Sequence, residues 1–305
     1  MNRTGTIASA SAMLVIGLVA GCATSPAAEP APPLSPTSQT TPKPAPPSPQ
    51  PTTIEVTADS AALQHIHNLS LSTDTLLIGS HQGLFSQPPG EPPRRVSEPF
   101  DVMGFTIADD RWLASGHPGP DMDAPPDLGL LQSADEGKTW KPVSLTGQVD
   151  FHRLAAAGDV VLGVNSGDGM LWRSTDGGDN WDTVGPGPFD IAINPRNARQ
   201  AVGTTQDGPI ASTDGGRTWT PIAGAPVIAL VAWTDDQLWG VTPEGAVHSS
   251  TDSGKDWRKA GEVDGQPAAL AANGTRLNVL AGDKIWESLD QGASFSPRVT
   301  GIPGH

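Results

Sequence analysis

The chain has no tyrosine and only one cysteine in 305 residues. A single cysteine excludes an intrachain disulfide, so stability must come from burial and hydrogen bonding. Basic residues are scarce as well: 18 Lys and Arg stand against 33 Asp and Glu, a formal net charge of −15. Nucleic-acid binding needs a basic footprint on the phosphates, so this composition excludes a nucleic-acid partner. No acidic block stands out, and the charge serves solubility. Long apolar runs are missing too. Residues 7–20, IASASAMLVIGLVA, form the most apolar stretch, and it is too short to span a bilayer comfortably. What is plentiful is glycine (35), proline (31) and tryptophan (9). Glycine and proline at this level suit many tight turns between short strands.

The apolar stretch follows a minimal positive start at Arg3 and ends in LVAGC, an arrangement that reads as a secretory signal peptide. Its end resembles the bacterial lipobox. That resemblance implies cleavage after residue 21 and a diacylglycerol on the thiol of Cys22; an uncleaved anchor and a signal cut elsewhere are the alternatives. Residues 22–53 are dominated by Pro, Ala, Ser and Thr, with almost no apolar bulk. Such a segment cannot bury enough surface to offset its ordering entropy. Proline keeps it extended at ~3 Å per residue, a reach of roughly 90 Å. The expected organisation is a signal peptide over 1–21, a lipidated, Pro-rich linker over 22–53 and a folded domain over 54–305. The domain would then sit outside the cytoplasm, tethered to the bacterial cell membrane.

Within that domain one phrase recurs. SADEGKTW begins at Ser133, STDGGDNW at Ser174, STDGGRTW at Ser212, STDSGKDW at Ser250 and SLDQGASF at Ser288. The starts are 41, 38, 38 and 38 residues apart. A fixed period in this range marks a solenoid, a propeller or an array. Each unit holds four short apolar runs separated by turn signals; around Ser212 they are IAIN, QAVGTT, PIAS and TWTPI. Four-stranded units repeated about an axis predict an all-β, six-bladed β-propeller with antiparallel blades. The first blade, from HIHNLSL to RRVSEP, lacks the phrase, and the second carries the insertion HPGPDMDAPPDLG. Small residues such as LAAAG and ALAA suit a tightly converging centre. Ring closure has two readings: Thr53–Val56 adds an edge strand, or the terminal blades simply abut.

The phrase matches the Asp box, S/T-x-D-x-G-x-T-W/F, and the chain resembles the BNR-repeat proteins typified by sialidases. Its residues are Ser133, Asp135, Gly137 and Trp140; Ser174, Asp176, Gly178 and Trp181; Ser212, Asp214, Gly216 and Trp219; Ser250, Asp252, Gly254 and Trp257; and Ser288, Asp290, Gly292 and Phe295. Each has a structural task. Ser and Asp hydrogen-bond backbone N–H groups inside the turn, glycine takes the positive-φ position, and the aromatic packs between neighbouring units. These aspartates are therefore not catalytic candidates. HIHNLSL, SHQGLF, DVMGF, LASGHPGP and DFHRL further resemble exported bacterial lipoproteins labelled glycosyl hydrolase or exo-alpha-sialidase, a label that implies fold more securely than activity.

Sialidases use a tyrosine nucleophile and three arginines that clamp the substrate carboxylate. This chain has no tyrosine, and Arg153 is its only arginine near the opening of an inner strand; Arg94, Arg95, Arg173, Arg217, Arg258 and Arg298 fall on outer strands or box turns. Other glycosidases need only two carboxylates across the scissile bond. Asp101, Asp150 and Asp190, at the openings of inner strands, are the candidates; turn residues are the alternative reading. The histidines are more informative. His65, His67, His81, His117 and His152 map to one face of three adjacent blades, opposite the boxes, whereas His248 and His305 lie elsewhere. Met103 begins the inner strand of blade 2 at the same mouth, and Asp121, Asp123 and Asp127 sit on the neighbouring insertion. Imidazoles with a thioether suit copper; imidazoles with carboxylates suit zinc or another divalent ion. Histidines that satisfy a polar channel, or line an apo cleft, are the alternative. The expected function is a monomeric, membrane-anchored propeller that binds a metal, small molecule, glycan or protein at this face, with glycoside hydrolysis as the competing reading.

Overall fold

The structure is a computed structural model that describes residues 53–55 and 63–302. The signal peptide, Cys22, the linker up to residue 52 and His305 lie outside the described residues. Strand β1 (Ile54–Glu55) precedes six four-stranded antiparallel sheets. Blade 1 is β2 (Ile66–Ser72), β3 (Thr75–Ser80), β4 (Gly83–Gln87) and β5 (Arg94–Arg95). Blade 2 is β6 (Asp101–Ala108), β7 (Arg111–His117), β8 (Leu130–Ser133) and β9 (Lys141–Ser144). Blade 3 is β10 (Phe151–Ala157), β11 (Val160–Asn165), β12 (Met170–Ser174) and β13 (Asp182–Pro186). Blade 4 is β14 (Ile191–Ile193), β15 (Ala201–Thr205), β16 (Gly208–Ser212) and β17 (Thr220–Pro221). Blade 5 is β18 (Leu230–Trp233), β19 (Leu238–Val241), β20 (Ala246–Ser250) and β21 (Arg258–Glu262). Blade 6 is β22 (Pro267–Asn273), β23 (Arg276–Ala281), β24 (Lys284–Ser288) and β25 (Ser296–Thr300). Strands in each sheet are ordered as in the chain. This is the six-bladed propeller that the 38-residue period predicts.

The core lies between the blades. Among the described residues six clusters of buried side chains occur, each drawn chiefly from two adjacent blades, and together they run round the ring. The repeated turn explains most of these interfaces. In the turn at Ser212, the Ser212 hydroxyl donates to Asp214 Oδ1 at 2.8 Å and accepts from the Gly216 amide at 2.9 Å. Asp214 Oδ1 also accepts from the Thr218 amide at 2.9 Å, and Oδ2 from the Thr218 hydroxyl at 2.7 Å. The turns at Ser133 and Ser288 repeat this whole pattern, the turn at Ser174 repeats it with the Asn180 side-chain amide in place of the hydroxyl, and the turn at Ser250 repeats its serine bonds and the amide on Asp252. The bonds hold the carboxylates ionised. Asp135 and Asp176 are lowered to about 2, first by the amides of Thr139 and Asn180. At Asp214 burial opposes ionisation, but the bonds from Thr218, Ser212 and Arg217 outweigh it and bring this carboxyl to about 2 as well.

Each turn also leans on the blade before it. Trp140 joins a cluster with Leu77 and Leu84 of blade 1, Trp181 one with Leu113 and Leu130 of blade 2, and Phe295 one with Trp239 and Val247 of blade 5. At Gly178, φ is +104° and an added Cβ would lie 2.3 Å from Leu130 Cδ2. Only glycine allows that backbone to press so closely on blade 2.

Blade 1 lacks the turn, so the interface between blades 6 and 1 is built otherwise. Arg298 on β25 is 2% exposed. On its own blade its guanidinium donates to Glu287 Oε1 at 2.7 Å and Asn278 Oδ1 at 3.2 Å. Across the interface it reaches Gln87 Oε1 at 2.5 Å, the Gln87 carbonyl at 2.8 Å and the Asp74 carbonyl at 3.0 Å. The sequence places Arg298 on an outer strand; the structure buries it as a bridge between the last blade and the first. Outside it, β1 pairs in parallel with β25, with Ile54 opposite Val299, so the N-terminal strand becomes the fifth strand of blade 6. Of the two readings of ring closure, the edge strand is the one observed.

Candidate metal-binding site

The six inner strands surround a channel of about 590 Å³, and each contributes residues to its lining. His67, His152, Arg153 and Asp190 line it where the strands begin. A shared irregularity sets this mouth. In blades 1, 2 and 3 the inner strand carries one extra residue against its neighbour: His67 between Ile66 and Asn68, Met103 between Val102 and Gly104, and His152 between Phe151 and Arg153. A bulge kinks the strand and re-aims the side chain it carries. Three of the six residues singled out at this mouth thus occupy equivalent bulge positions in adjacent blades. Blade 6 has the same bulge at Ala268.

The structure brings the histidines together in two sets rather than one. In the first, Asp101 Oδ2 lies 2.7 Å from His81 Nδ1, and Oδ1 lies 3.5 Å from His67 Nε2. The His65 and His67 rings meet the His81 ring edge-on, with centroids 5.0 and 4.6 Å away. His65 is exposed and holds φ at +53°, a region histidine enters more readily than most residues. In the second set, Asp150 Oδ2 lies 2.6 Å from His152 Nε2 and 3.4 Å from His117 Nε2. In each of the sets His67, His81, Asp101 and His117, Asp150, His152, one candidate ligand atom per residue lies within 4.8 Å of the others.

Hydrogen bonds orient the ligands. His117 Nδ1 lies 2.9 Å from the Pro126 carbonyl. A carbonyl only accepts, so Nδ1 carries the hydrogen; Nε2 faces Asp150, and in the neutral ring it is the nitrogen left to bind a metal. Asp150 is 3% exposed; its Oδ2 accepts from the Ser166 hydroxyl at 2.8 Å, while its Oδ1 is buried with no hydrogen-bond partner. Asp101 Oδ1 and His67 Nε2 are likewise buried without hydrogen bonds. Burial opposes ionisation of both carboxylates, but the histidines, joined at Asp150 by Ser166, outweigh it and hold both pKa values below the ordinary range. Burial also pushes His117 down, but the Pro126 carbonyl, Asp150, Asp101 and Asp127 together raise it.

The remaining candidates are placed as follows. Met103 is buried, and its carbonyl accepts from Asn68 Nδ2 at 3.1 Å. Asp190 sits further round the mouth; Oδ2 accepts from the Val231 amide at 2.8 Å, and Arg153 Nε lies 3.6 Å from Oδ1. Burial pushes its carboxyl up, against the pull of Arg153. Asp127 Oδ1 lies 3.7 Å from His117 Nδ1, whereas Asp121 and Asp123 are exposed on the insertion. His248 lies on β20 in blade 5, outside both sets; burial and then Lys259 lower its pKa. Sequence reasoning missed Ser166 and the Pro126 carbonyl, which orient the second set; neither carries a motif.

No protein-family model matches the chain, and a search of curated proteins also finds no match. Solved structures do match in fold. A GH74 xyloglucanase from Xanthomonas campestris aligns with a TM-score of 0.52 and 15% identity over 77% of this chain and 45% of the xyloglucanase. A chain of a nidogen/laminin complex aligns with a TM-score of 0.56 and 11% identity over 72% of this chain and 91% of that one. PorZ, a surface component of the type-IX secretion system of Porphyromonas gingivalis, aligns with a TM-score of 0.51 and 11% identity over 76% of this chain and 32% of PorZ. The chain therefore spans less than half the length of the xyloglucanase and of PorZ. The shared property is the propeller.

Proposed function

We propose that this protein is an exported, lipid-anchored Asp-box propeller that binds a divalent transition metal at the mouth of its channel. One observation carries the reading: two imidazoles and a carboxylate gather within 4.8 Å twice over, and each set holds a buried carboxylate oxygen without a hydrogen-bond partner. A buried polar atom left unpaired costs free energy, and a cation is the partner a carboxylate oxygen accepts best. Neutral imidazole with carboxylate suits Zn(II) or Cu(II), and three protein ligands leave a coordination position open to a further ligand. Asp101 and Asp150, which could also be weighed as a glycosidase pair, act in this reading as metal ligands. The repeated turns are the glue between blades. Cys22 carries the anchor, and residues 22–53 hold the domain away from the membrane.

The test is calorimetric titration of the chelator-stripped full chain, in mild detergent, with Zn(II) and Cu(II), alongside thermal melting. Binding to the native state alone raises the melting temperature. Affinity should fall as pH drops, because protons compete for the imidazoles. No binding heat and no shift in melting at saturating metal would overturn the reading.

A further inference from the structure

We infer that the mouth holds two metal ions, one in each histidine–aspartate set, and not a single ion shared among the five histidines. The inference rests on the metal-binding reading above and concerns how that site is divided. The division follows from one hairpin. Asp101 opens β6 and His117 closes β7, and the two are directly opposite in the β6–β7 register. Residues opposite in this way have Cα atoms only ~5 Å apart. Their side chains nevertheless serve different neighbours. Asp101 turns to His67 and His81 of blade 1, and His117 turns to Asp150 and His152 of blade 3. The hairpin of blade 2 thus contributes one ligand to each side and parts the mouth between them.

Each side is complete in kind. It has its own carboxylate, its own pair of imidazoles and its own buried carboxylate oxygen without a hydrogen bond: Asp101 Oδ1, 3.5 Å from His67 Nε2, on one side and Asp150 Oδ1 on the other. Metal–nitrogen and metal–oxygen bonds are ~2 Å long, so the ligand atoms of one ion lie within ~4 Å of one another. Spacings up to 4.8 Å within a set lie within about 1 Å of that range. A single ion in either set would leave the other set's carboxylate oxygen buried without a hydrogen bond. The sets also differ. His65 packs edge-on against His81 beside the first set, whereas the second set has its aspartate pinned by Ser166 and His117 oriented by Pro126. The borderline ion Zn(II) fits both, since each set mixes imidazole nitrogen with carboxylate oxygen.

The experiment measures zinc per chain on the full protein, stripped with chelator, reloaded with excess Zn(II), desalted and analysed for metal content. Two zinc ions per chain are expected. His81→Ala and His152→Ala alter half-exposed side chains in different sets, and each should lower the content by one ion; the double variant should hold none. One ion per chain in the unaltered protein, or loss of all zinc in either single variant, would mean a single shared site and would overturn the division while leaving metal binding standing. No zinc in the unaltered protein would overturn both. A readout that needs no variant is the spin count of the Cu(II)-loaded protein by electron paramagnetic resonance. Two equivalents bound, giving two copper environments or a dipole-coupled pair, support the division; one environment at one equivalent refutes it.

Discussion

Removing the guanidinium of Arg298 tests whether blade 6 and blade 1 are held as described. Arg298→Met keeps most of the aliphatic bulk and deletes every donor. The carbonyls of Asp74 and Gln87 and the Gln87 side-chain oxygen then lose a donor across the interface. Buried groups left unpaired cost about 1–3 kcal/mol each. Glu287, 5% exposed, keeps one partner, Arg276 Nη1 at 2.6 Å, so its charge is not orphaned. Breaking one partner of a buried pair costs about 3–5 kcal/mol, and the surviving Arg276 contact holds the loss near the lower part of that range. The expected destabilisation is therefore about 3–4 kcal/mol, or roughly 6–16 °C in melting temperature for a domain of this size. Arg276→Met serves as comparison. Arg276 is 22% exposed, and removing it leaves the Arg298–Glu287 pair intact, so the loss should be about 1 kcal/mol. Chemical denaturation followed by tryptophan fluorescence reads both. If Arg298→Met costs less than about 1 kcal/mol, or no more than Arg276→Met, the bridge does not close the ring and the reasoning fails.

Asp214→Ala should cost about 1–2 kcal/mol at neutral pH and leave zinc binding unchanged, because it removes the bonds within one turn far from the mouth. With a folded pKa of about 2, below its unfolded value, Asp214 contributes stability that is fully present above pH ~4 and lost as pH falls through 2. The gap between parent and variant should accordingly shrink over that window in urea titrations; a gap of the same size at pH 2 and pH 7 would contradict the assignment. Gly178→Ala should destabilise by about 2–4 kcal/mol, since its Cβ meets Leu130 at 2.3 Å and its φ is +104°, whereas Gly185→Ala, with open space around it, should be neutral within about 0.5 kcal/mol in the same assay. Cys22→Ser should move the protein from the membrane fraction to the soluble fraction or block its processing; unchanged fractionation with normal maturation would count against lipidation.

The propeller was legible because its signal is local. Each repeated turn closes within five residues, from the serine hydroxyl to the glycine amide, so its sequence cannot drift far without losing those bonds. The four runs per period then number the strands. The histidine face was legible for the same reason, since strand order assigns each strand end to a face. Its division into two sets was not. That depends on bulges at His67, Met103 and His152, which shift register by one residue and leave no trace in the hydrophobic pattern. It depends too on which way Asp101 and His117 turn from one hairpin. The sequence offers Asp150 as a glycosidase carboxylate or a turn residue, and its burial follows only when blade 3 meets blade 2. Arg298 was the furthest from reach: its partner Gln87 lies 211 residues away, and the need for a bridge appears only once the first blade is seen to lack the turn that seals the other interfaces.

Metal bound at the His–Asp sets of the channel mouth would be visible by crystallography. Anomalous diffraction at the zinc edge from crystals of the zinc-loaded protein tests for it most directly. Two peaks are predicted, one about 2 Å from His67, His81 and Asp101 and one about 2 Å from His117, Asp150 and His152. Zinc found only elsewhere, with both sets unchanged and free of density, would contradict the proposed metal binding.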